Sequence, residues 1–473
     1  MRVSEKHIGR FWQAQGMAAA GGDSMTYRVV SQEVILEDDE GQPAGSMFTY
    51  SYLRSDTEDS TRPVIFAYNG GPGSASFWLH AGFFGPQRLV LDLAPGASPT
   101  PPYAVENNPN CLLDTFDIVL IDPVGTGYGE LLNPKAGGLF YGVDQDARAF
   151  ALVIEHWLNS HERWNAPKFL CGESYGTLRS AALTEALMGG TSTGMFTGIA
   201  VNGIILIGNI LHVGTHYEAR YIEPSVQNFI SYAATRWYHS QEELPALDAF
   251  VKDAYAFSVG PYAHALLLGD YLPNRERDTV LDDLVYYTGL PRKYLMDNHL
   301  RVDKTYFLNN LLQERGLAVG AYDSRLTLPL SEQYGQAGTF DDPAMAYFTP
   351  VFTGAFHDHF KKALGIDLER AYNITNMEAN MNWDWASAKT PSQYLSGSMR
   401  RNPALRVMFA TGLYDLCTVA GDTRYIISQI GLPLDRVERY EYASGHMAYV
   451  GDAPAAQLAG DIRGFVARCL GQT

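Results

Sequence analysis

Hydrophobic positions along this chain switch between two periods, and the switches outline its elements. Pro63-Val64-Ile65-Phe66-Ala67-Tyr68 and Phe116-Asp117-Ile118-Val119-Leu120-Ile121-Asp122 are short apolar runs bounded by Gly and Pro, the pattern of parallel strands covered on both faces. Gly203-Ile204-Ile205-Leu206-Ile207-Gly208 repeats it. Upstream, Tyr27-Arg28-Val29-Val30 and Met47-Phe48-Thr49-Tyr50-Ser51-Tyr52 flank the turn-prone Asp38-Asp39-Glu40-Gly41, which predicts a hairpin at the sheet edge. Between residues 144 and 160 the period lengthens. Ala147, Phe150, Ala151, Ile154, Trp157 and Leu158 form a helical stripe, with Asp144 placed to cap it.

From His212 to Gln393 helical periodicity dominates, rich in aromatic residues such as Tyr217, Phe229, Tyr232 and Trp237, with few strand signals. Strand text returns at Leu405-Arg406-Val407-Met408-Phe409-Ala410 and Val437-Glu438-Arg439-Tyr440-Glu441-Tyr442, and an amphipathic helix from Pro454 to Leu470 closes the chain. Alternating strands and helices interrupted by a helical block predict an α/β fold: a doubly wound, mostly parallel sheet with a helical cap insertion. Residues 1–211 are the first part of the core, 212–393 the mainly helical insertion, and 394–473 the C-terminal part of the core.

Composition narrows the function classes. Hydrophobic residues make up 46% of the 473 and charged residues 18%, ordinary for a globular chain able to bury a large core. Against 35 Lys and Arg stand 52 Asp and Glu, a net charge of -17 without a basic run, which excludes a phosphate-backbone partner. Cys111, Cys171, Cys417 and Cys469 are scattered without metal-ligand spacing and read as reduced thiols, Cys171 and Cys417 as buried ones. The N-terminal text lacks an apolar signal segment and no apolar run is long enough to span a bilayer, so a soluble cytoplasmic protein without membrane partner is expected. The oligomeric state is left open, a homodimer included.

Chemistry concentrates where Lys168-Phe169-Leu170-Cys171 breaks into Gly172-Glu173-Ser174-Tyr175-Gly176 and then becomes helical. A serine between flanking glycines, on a strand-to-helix turn, is the pattern of a nucleophile elbow. An activated serine also needs a base, an acid to orient it and donors for the oxyanion. Asp415 follows the strand ending Ala410-Thr411-Gly412, and His446 follows the last strand in Ser444-Gly445-His446-Met447. The chain order Ser174, Asp415, His446 is that of the α/β-hydrolase fold. Asn69-Gly70-Gly71-Pro72-Gly73-Ser74 follows a strand without a partner strand behind it, so it reads as an oxyanion loop rather than a type I′ hairpin, with the amides of Gly71 and Tyr175 as the pair of donors. No cofactor and no metal site is indicated. His212 and His216, with Glu218 behind them, have ligand spacing but no H-E-x-x-H, and read as cap surface or packing. Gly125-Thr126-Gly127-Tyr128-Gly129 lacks the spacing of a dinucleotide loop.

Asn69-Gly70-Gly71-Pro72-Gly73-Ser74, Asp122-Pro123-Val124-Gly125-Thr126-Gly127-Tyr128, Gly172-Glu173-Ser174-Tyr175-Gly176, Asp415 and Ser444-Gly445-His446 together resemble the serine carboxypeptidase family over residues 63–448. Gly320-Ala321-Tyr322-Asp323-Ser324-Arg325 looks like a segment of its bacterial branch. The resemblance implies release of C-terminal residues from peptides with a free C-terminus, through acylation of Ser174 with His446 as base and Asp415 orienting it. Asn69 and Glu173, with the Gly70 amide, would bind the terminal carboxylate. Two departures stand out. Family members have a second glutamate shortly after the N-G-G-P-G loop, which shares a proton with the residue at Glu173; here that region reads Leu79-His80-Ala81-Gly82-Phe83-Phe84, so His80 is expected to alter recognition or the acid dependence to weaken. Ser74 stands where many secreted relatives have cysteine. A broader serine esterase or acyltransferase on the same triad is the competing reading.

Overall fold

The computed structural model describes residues 1–21, 23–57, 59–94, 97–190, 197–211, 221–330, 342–386 and 388–472. Its main sheet has ten strands: β1 Arg2–Val3, β2 Phe11–Ala20, β3 Asp23–Glu37, β4 Pro43–Arg54, β5 Val64–Tyr68, β6 Asp117–Asp122, β7 Lys168–Glu173, β8 Gly203–Ile207, β9 Arg406–Gly412 and β10 Val437–Tyr442. The spatial order is β1-β3-β4-β6-β5-β7-β8-β9-β10, with β2 also paired to β3. Strands β6 to β10 run parallel through β5, and β1 to β4 add an antiparallel flank. This is the mostly parallel sheet of an α/β-hydrolase.

The continuous apolar text of the central strands has a direct cause, since β5, β6, β7 and β8 are buried at every residue. Alternate side chains enter opposite layers. Ile65, Ile118, Phe169, Ile205 and Met408 join one cluster with Leu458, Ile462 and Phe465 of the C-terminal helix Asp452–Cys469. Phe66, Val119, Leu170, Ile204 and Val407 join the other with Phe150, Ile154 and Trp157 of the helix Val143–Ser160. The sheet therefore has a helical layer on each face.

The long block between β8 and β9 divides in two. Helices Glu223–His239, Leu247–Phe257 and Asn274–Thr288 bury Phe229, Tyr232, Phe250, Phe257 and Leu284 in a cluster of their own. By contrast, the helix Pro343–Ala355 places Phe348, Val351 and Phe352 in the main core. Residues just downstream are tied to core loops by isolated bridges, Ser74 to Thr375 and Gly127 to Asn373. The helix Pro391–Arg401 packs Tyr394, Leu395 and Met399 into the layer that holds the elbow helix.

Three sequence expectations are corrected. The predicted hairpin, β3 with β4, lies one strand inside the edge, because β2 pairs with β3 along ten residues from Phe11 to Ala20. That strand was hidden by its Ala and Gln content, which carries little strand preference; its alternating exposure shows that pairing with β3 decides it. The helix expected to be capped by Asp144 starts at Val143 with Gly142 as cap, and the Asp144 carboxylate instead accepts from Tyr394 Oη at 2.6 Å. Cys171 is buried as expected, but Cys417 is exposed; all four cysteines are unpaired.

Candidate active site

Strand β7 ends at Glu173 and the helix Tyr175–Leu187 begins at the next residue but one, so Ser174 alone makes the corner. It does so at φ 59° and ψ −126°, a conformation that strains any residue carrying Cβ. The corner closes because its flanks lack side chains: a Cβ on Gly172 would lie 1.9 Å from the Gly176 carbonyl oxygen. Hydrogen bonds hold it, with Ser174 N donating to Ile207 O at 2.8 Å and Thr177 Oγ1 donating to Ser174 O at 2.7 Å.

Parallel strands bring the other groups to the same end of the sheet. Asp415 lies three residues beyond β9, and its Oδ1 accepts the amides of Cys417 at 2.7 Å and Thr418 at 2.9 Å. Its Oδ2 accepts His446 Nδ1 at 2.9 Å and the Thr418 hydroxyl. His446 follows β10, and its backbone N donates to Tyr322 O at 2.6 Å while the Tyr322 ring stands edge-on to the imidazole. Both side chains are buried. Burial pushes the Asp415 carboxyl up, but the His446 charge and the hydrogen bonds from His446 and Thr418 outweigh it and hold the group below the carboxylate range. For His446 burial favours the neutral ring, yet Asp415, and more weakly Glu173, leave its proton affinity raised. With Nδ1 committed to Asp415, Nε2 is the nitrogen left for proton transfer.

The loop after β5 wraps the elbow. A Cβ on Gly70 would sit 2.4 Å from Tyr175 N and 2.6 Å from Glu173 O, so only glycine allows this contact. Neither the Gly71 nor the Tyr175 amide donates to a protein acceptor among the described residues. Asn69 is fixed from two sides: its Oδ1 accepts Leu79 N at 3.0 Å, which turns Nδ2 onto Glu173 Oε1 at 2.7 Å. Burial drives the Glu173 carboxyl up to about 7, against smaller lowering effects from His446, Tyr449 and Asn69. A neutral carboxylic acid next to Ser174 can therefore donate a hydrogen bond near neutral pH.

A cavity of about 220 Å³ unites these groups. Asn69, Gly70, Gly71, Glu173, Ser174 and His446 form its polar wall, and Trp78, Met345, Phe348 and Met447 much of its apolar one. His80 does not take part. It is buried with Nε2 2.6 Å from Tyr52 Oη, and burial lowers its pKa to about 3, so it is a neutral core residue and not a substitute for a glutamate. His212, His216 and Glu218 lie outside the described residues. The 125–129 loop is structural: Gly127 N donates to Asn373 O at 2.7 Å, and Gly127 O accepts from Asn373 N at 2.9 Å.

Several supporting residues escaped sequence reasoning because their partners are distant in the chain. Arg179, fully buried, donates to Asp146 Oδ2 at 2.7 Å and to Asn69 O at 2.5 Å, which ties the elbow helix to the loop after β5. Asp122 anchors the same loop by accepting Ser76 N at 2.7 Å, with Tyr50 and Tyr372 hydroxyls each at 3.0 Å. Thr418 is the third group on the Asp415–His446 pair.

Comparison with known proteins bears on the family and the fold. Over 226 residues the chain is 26% identical to serine carboxypeptidase-like 9 of Arabidopsis thaliana, covering 47% of each chain. Serine carboxypeptidase-like 16 of the same plant is 26% identical over 175 residues, 36% of this chain and 37% of the relative. The matches thus span about half the length of these relatives or less. Among solved structures, the prohormone-processing carboxypeptidase Kex1(delta)p of Saccharomyces cerevisiae superposes with a TM-score of 0.57 at 13% identity, over 92% of this chain and 91% of that one; at that identity the likeness shows the shared fold. The family model for serine carboxypeptidases matches residues 39–465, and on that match the chain belongs to the serine carboxypeptidase family.

Proposed function

We propose that the protein is a serine carboxypeptidase releasing C-terminal residues from peptides with a free C-terminus. One observation carries the reading beyond a general acyl hydrolase: a buried, proton-retaining carboxyl, Glu173, held by Asn69 on the wall of the cavity that contains Ser174. Ser174 Oγ attacks the last peptide carbonyl while His446 Nε2 takes its proton, and Asp415 holds the imidazole tautomer and balances the imidazolium charge. The amides of Gly71 and Tyr175 receive the oxyanion. His446 then protonates the departing amino group, and water resolves the acyl-enzyme. Asn69, the Gly70 amide and Glu173 in its acid form receive the substrate carboxylate, which a charged glutamate would repel.

The test compares a blocked dipeptide acid with its C-terminal amide. Carboxylate recognition predicts a kcat/KM ratio of about 100 in favour of the acid, the scale of one charge-assisted contact left unmade. Equal rates, with fast ester turnover, would move the protein to the broader esterase or acyltransferase reading.

The pH dependence has a defined sign. His446 acts as base only when neutral, and its raised proton affinity places the acid limb of kcat/KM above the ordinary histidine value of 6.5. Glu173 must keep its proton, so binding of a peptide acid weakens as pH rises through about 7. The acid substrate should therefore show a narrow bell near neutrality and the amide only the acid limb, with apparent values that belong to the coupled pair. A flat alkaline side for the acid substrate would remove Glu173 from recognition.

We propose the bacterial branch of the family as the finer assignment solely on the sequence resemblance of Gly320–Arg325; in that segment Tyr322 packs on His446, and Asp323, paired to Arg325, reaches the cavity. Four unpaired thiols support a cytoplasmic setting. The net charge of -17 argues against a nucleic-acid partner.

A further inference from the structure

Two buried polar atoms beside the reaction centre stand without a partner. Glu173 Oε1 accepts from Asn69, but Oε2 has no hydrogen bond among the described residues, and neither has the hydroxyl of Tyr449. The two are neighbours. The phenol lies close enough to the Glu173 carboxyl and the Asn69 side chain for hydrogen bonding with each to shift its proton affinity, although neither contact has the distance and alignment of a full hydrogen bond. Buried polar groups rarely remain unpaired unless a function uses them.

Packing fixes where that phenol points from. The Tyr449 ring stacks on Phe83, with centroids 5.5 Å apart and planes at 25°, and a Cβ on Gly82 would lie 2.7 Å from it. Its backbone follows His446 by three residues, in the loop that also carries the base. Tyr449 is buried and is not part of the cavity lining, so it reaches a substrate only through Glu173.

We propose that Tyr449 is a positioning residue for carboxylate recognition: its hydroxyl donates to Glu173 Oε2 while Asn69 donates to Oε1, which sets the plane of the carboxyl facing the substrate. The proposal rests on the reading that Glu173 receives the terminal carboxylate. A carboxyl has about four lone-pair sites, so two accepted bonds leave room for the acid proton that the substrate meets. Of the other groups acting on Glu173, protonated His446 favours its charged form and Asp415 opposes it, while burial keeps Cys171 and Tyr449 neutral. Tyr449 thus keeps its proton to donate across the working range.

The experiment begins with the wild type on a peptide acid and its amide. Loss of acid preference there sinks the reading of Glu173 itself. With that preference present, Tyr449→Phe is expected to lower the acid-over-amide ratio in kcat/KM about tenfold, chiefly through KM for the acid. The alkaline limb should also move to higher pH, because a donor to the carboxylate form has been removed. In a Glu173→Gln background the same substitution should change the ratio by less than about twofold, since the coupling is gone. Should Tyr449→Phe not fold, 3-fluorotyrosine at 449 serves in its place; its more acidic phenol is a stronger donor and should move the alkaline limb to lower pH. An unmoved limb and an unchanged ratio overturn the proposal, and so does an equal loss on acid and amide, which marks a packing role.

Discussion

Replacing Ser174 with alanine is expected to lower turnover of a blocked dipeptide acid by about 10⁴- to 10⁶-fold, the range seen when a triad nucleophile is removed. The fold should survive, because Ser174 contributes backbone rather than side-chain contacts to the corner: its amide binds Ile207 O and its carbonyl takes Thr177 Oγ1. Alanine at the same positive φ carries the same Cβ strain, so the thermal midpoint should stay within about 3 °C of the wild type. A fluorophosphonate probe should label the wild type at Ser174 and leave the variant unlabelled. Turnover within tenfold of wild type would place the nucleophile elsewhere.

The second large effect concerns stability. Asp146→Ala would leave Arg179 charged in an interior that shields it completely, with Oδ2 of Asp146 removed from its Nε at 2.7 Å and from Tyr175 Oη at 3.2 Å. Breaking one side of such a pair costs about 3–5 kcal/mol. Burial already holds the Asp146 carboxyl above its ordinary range despite the guanidinium, which shows how strongly this interior resists charge. The Phe150, Tyr68 and Tyr175 rings around the guanidinium, at 4.5, 5.3 and 5.0 Å, cannot replace the carboxylate's hydrogen bonds. Urea denaturation measures the loss. Removing both charges with Asp146→Leu and Arg179→Met should cost less than the single change, since no buried charge is then left unpaired. A loss under about 1 kcal/mol in Asp146→Ala would mean that water reaches Arg179. Activity should fall as well, because Arg179 holds the Asn69 carbonyl and with it the loop that presents Gly70 and Gly71.

These two variants probe different kinds of information. Ser174 was legible because an elbow is a local device: strand text, two glycines around a serine and helical text suffice to predict it, and the observed φ of 59° is the strain that pattern implies. Asp415 and His446 were legible through position, as polar residues just past apolar strands in a parallel sheet. Asp146 and Arg179 were not. One lies in the first turn of the helix Val143–Ser160 and the other in the elbow helix, and nothing local announces that they meet beneath Asn69.

The errors have the same origin. Strand β2 escaped because Ala and Gln carry no strong preference of their own, and pairing with β3 made it a strand. A role for His80 in recognition, one of the two alternatives its place after the N-G-G-P-G loop offers, is removed because the five-residue π-helical turn His80–Phe84 points it at Tyr52 in the core. Asp144 has the residue type of a cap, yet the chain enters the helix two residues earlier through extended Gly142.

Period, glycine spacing and strand-end polarity are properties of neighbouring residues, so the chain's text was enough for the central strands, the corner at Ser174 and the strand-end placement of Asp415 and His446. Proton affinity and orphaned hydrogen-bonding capacity depend on what surrounds an atom in space. That Glu173 retains its proton to about 7, and that the phenol of Tyr449 rather than a second carboxyl lies beside it, follow from the burial of residues far apart in the chain. Desolvation has no local signature, and it appears only when the layers have closed over the sheet.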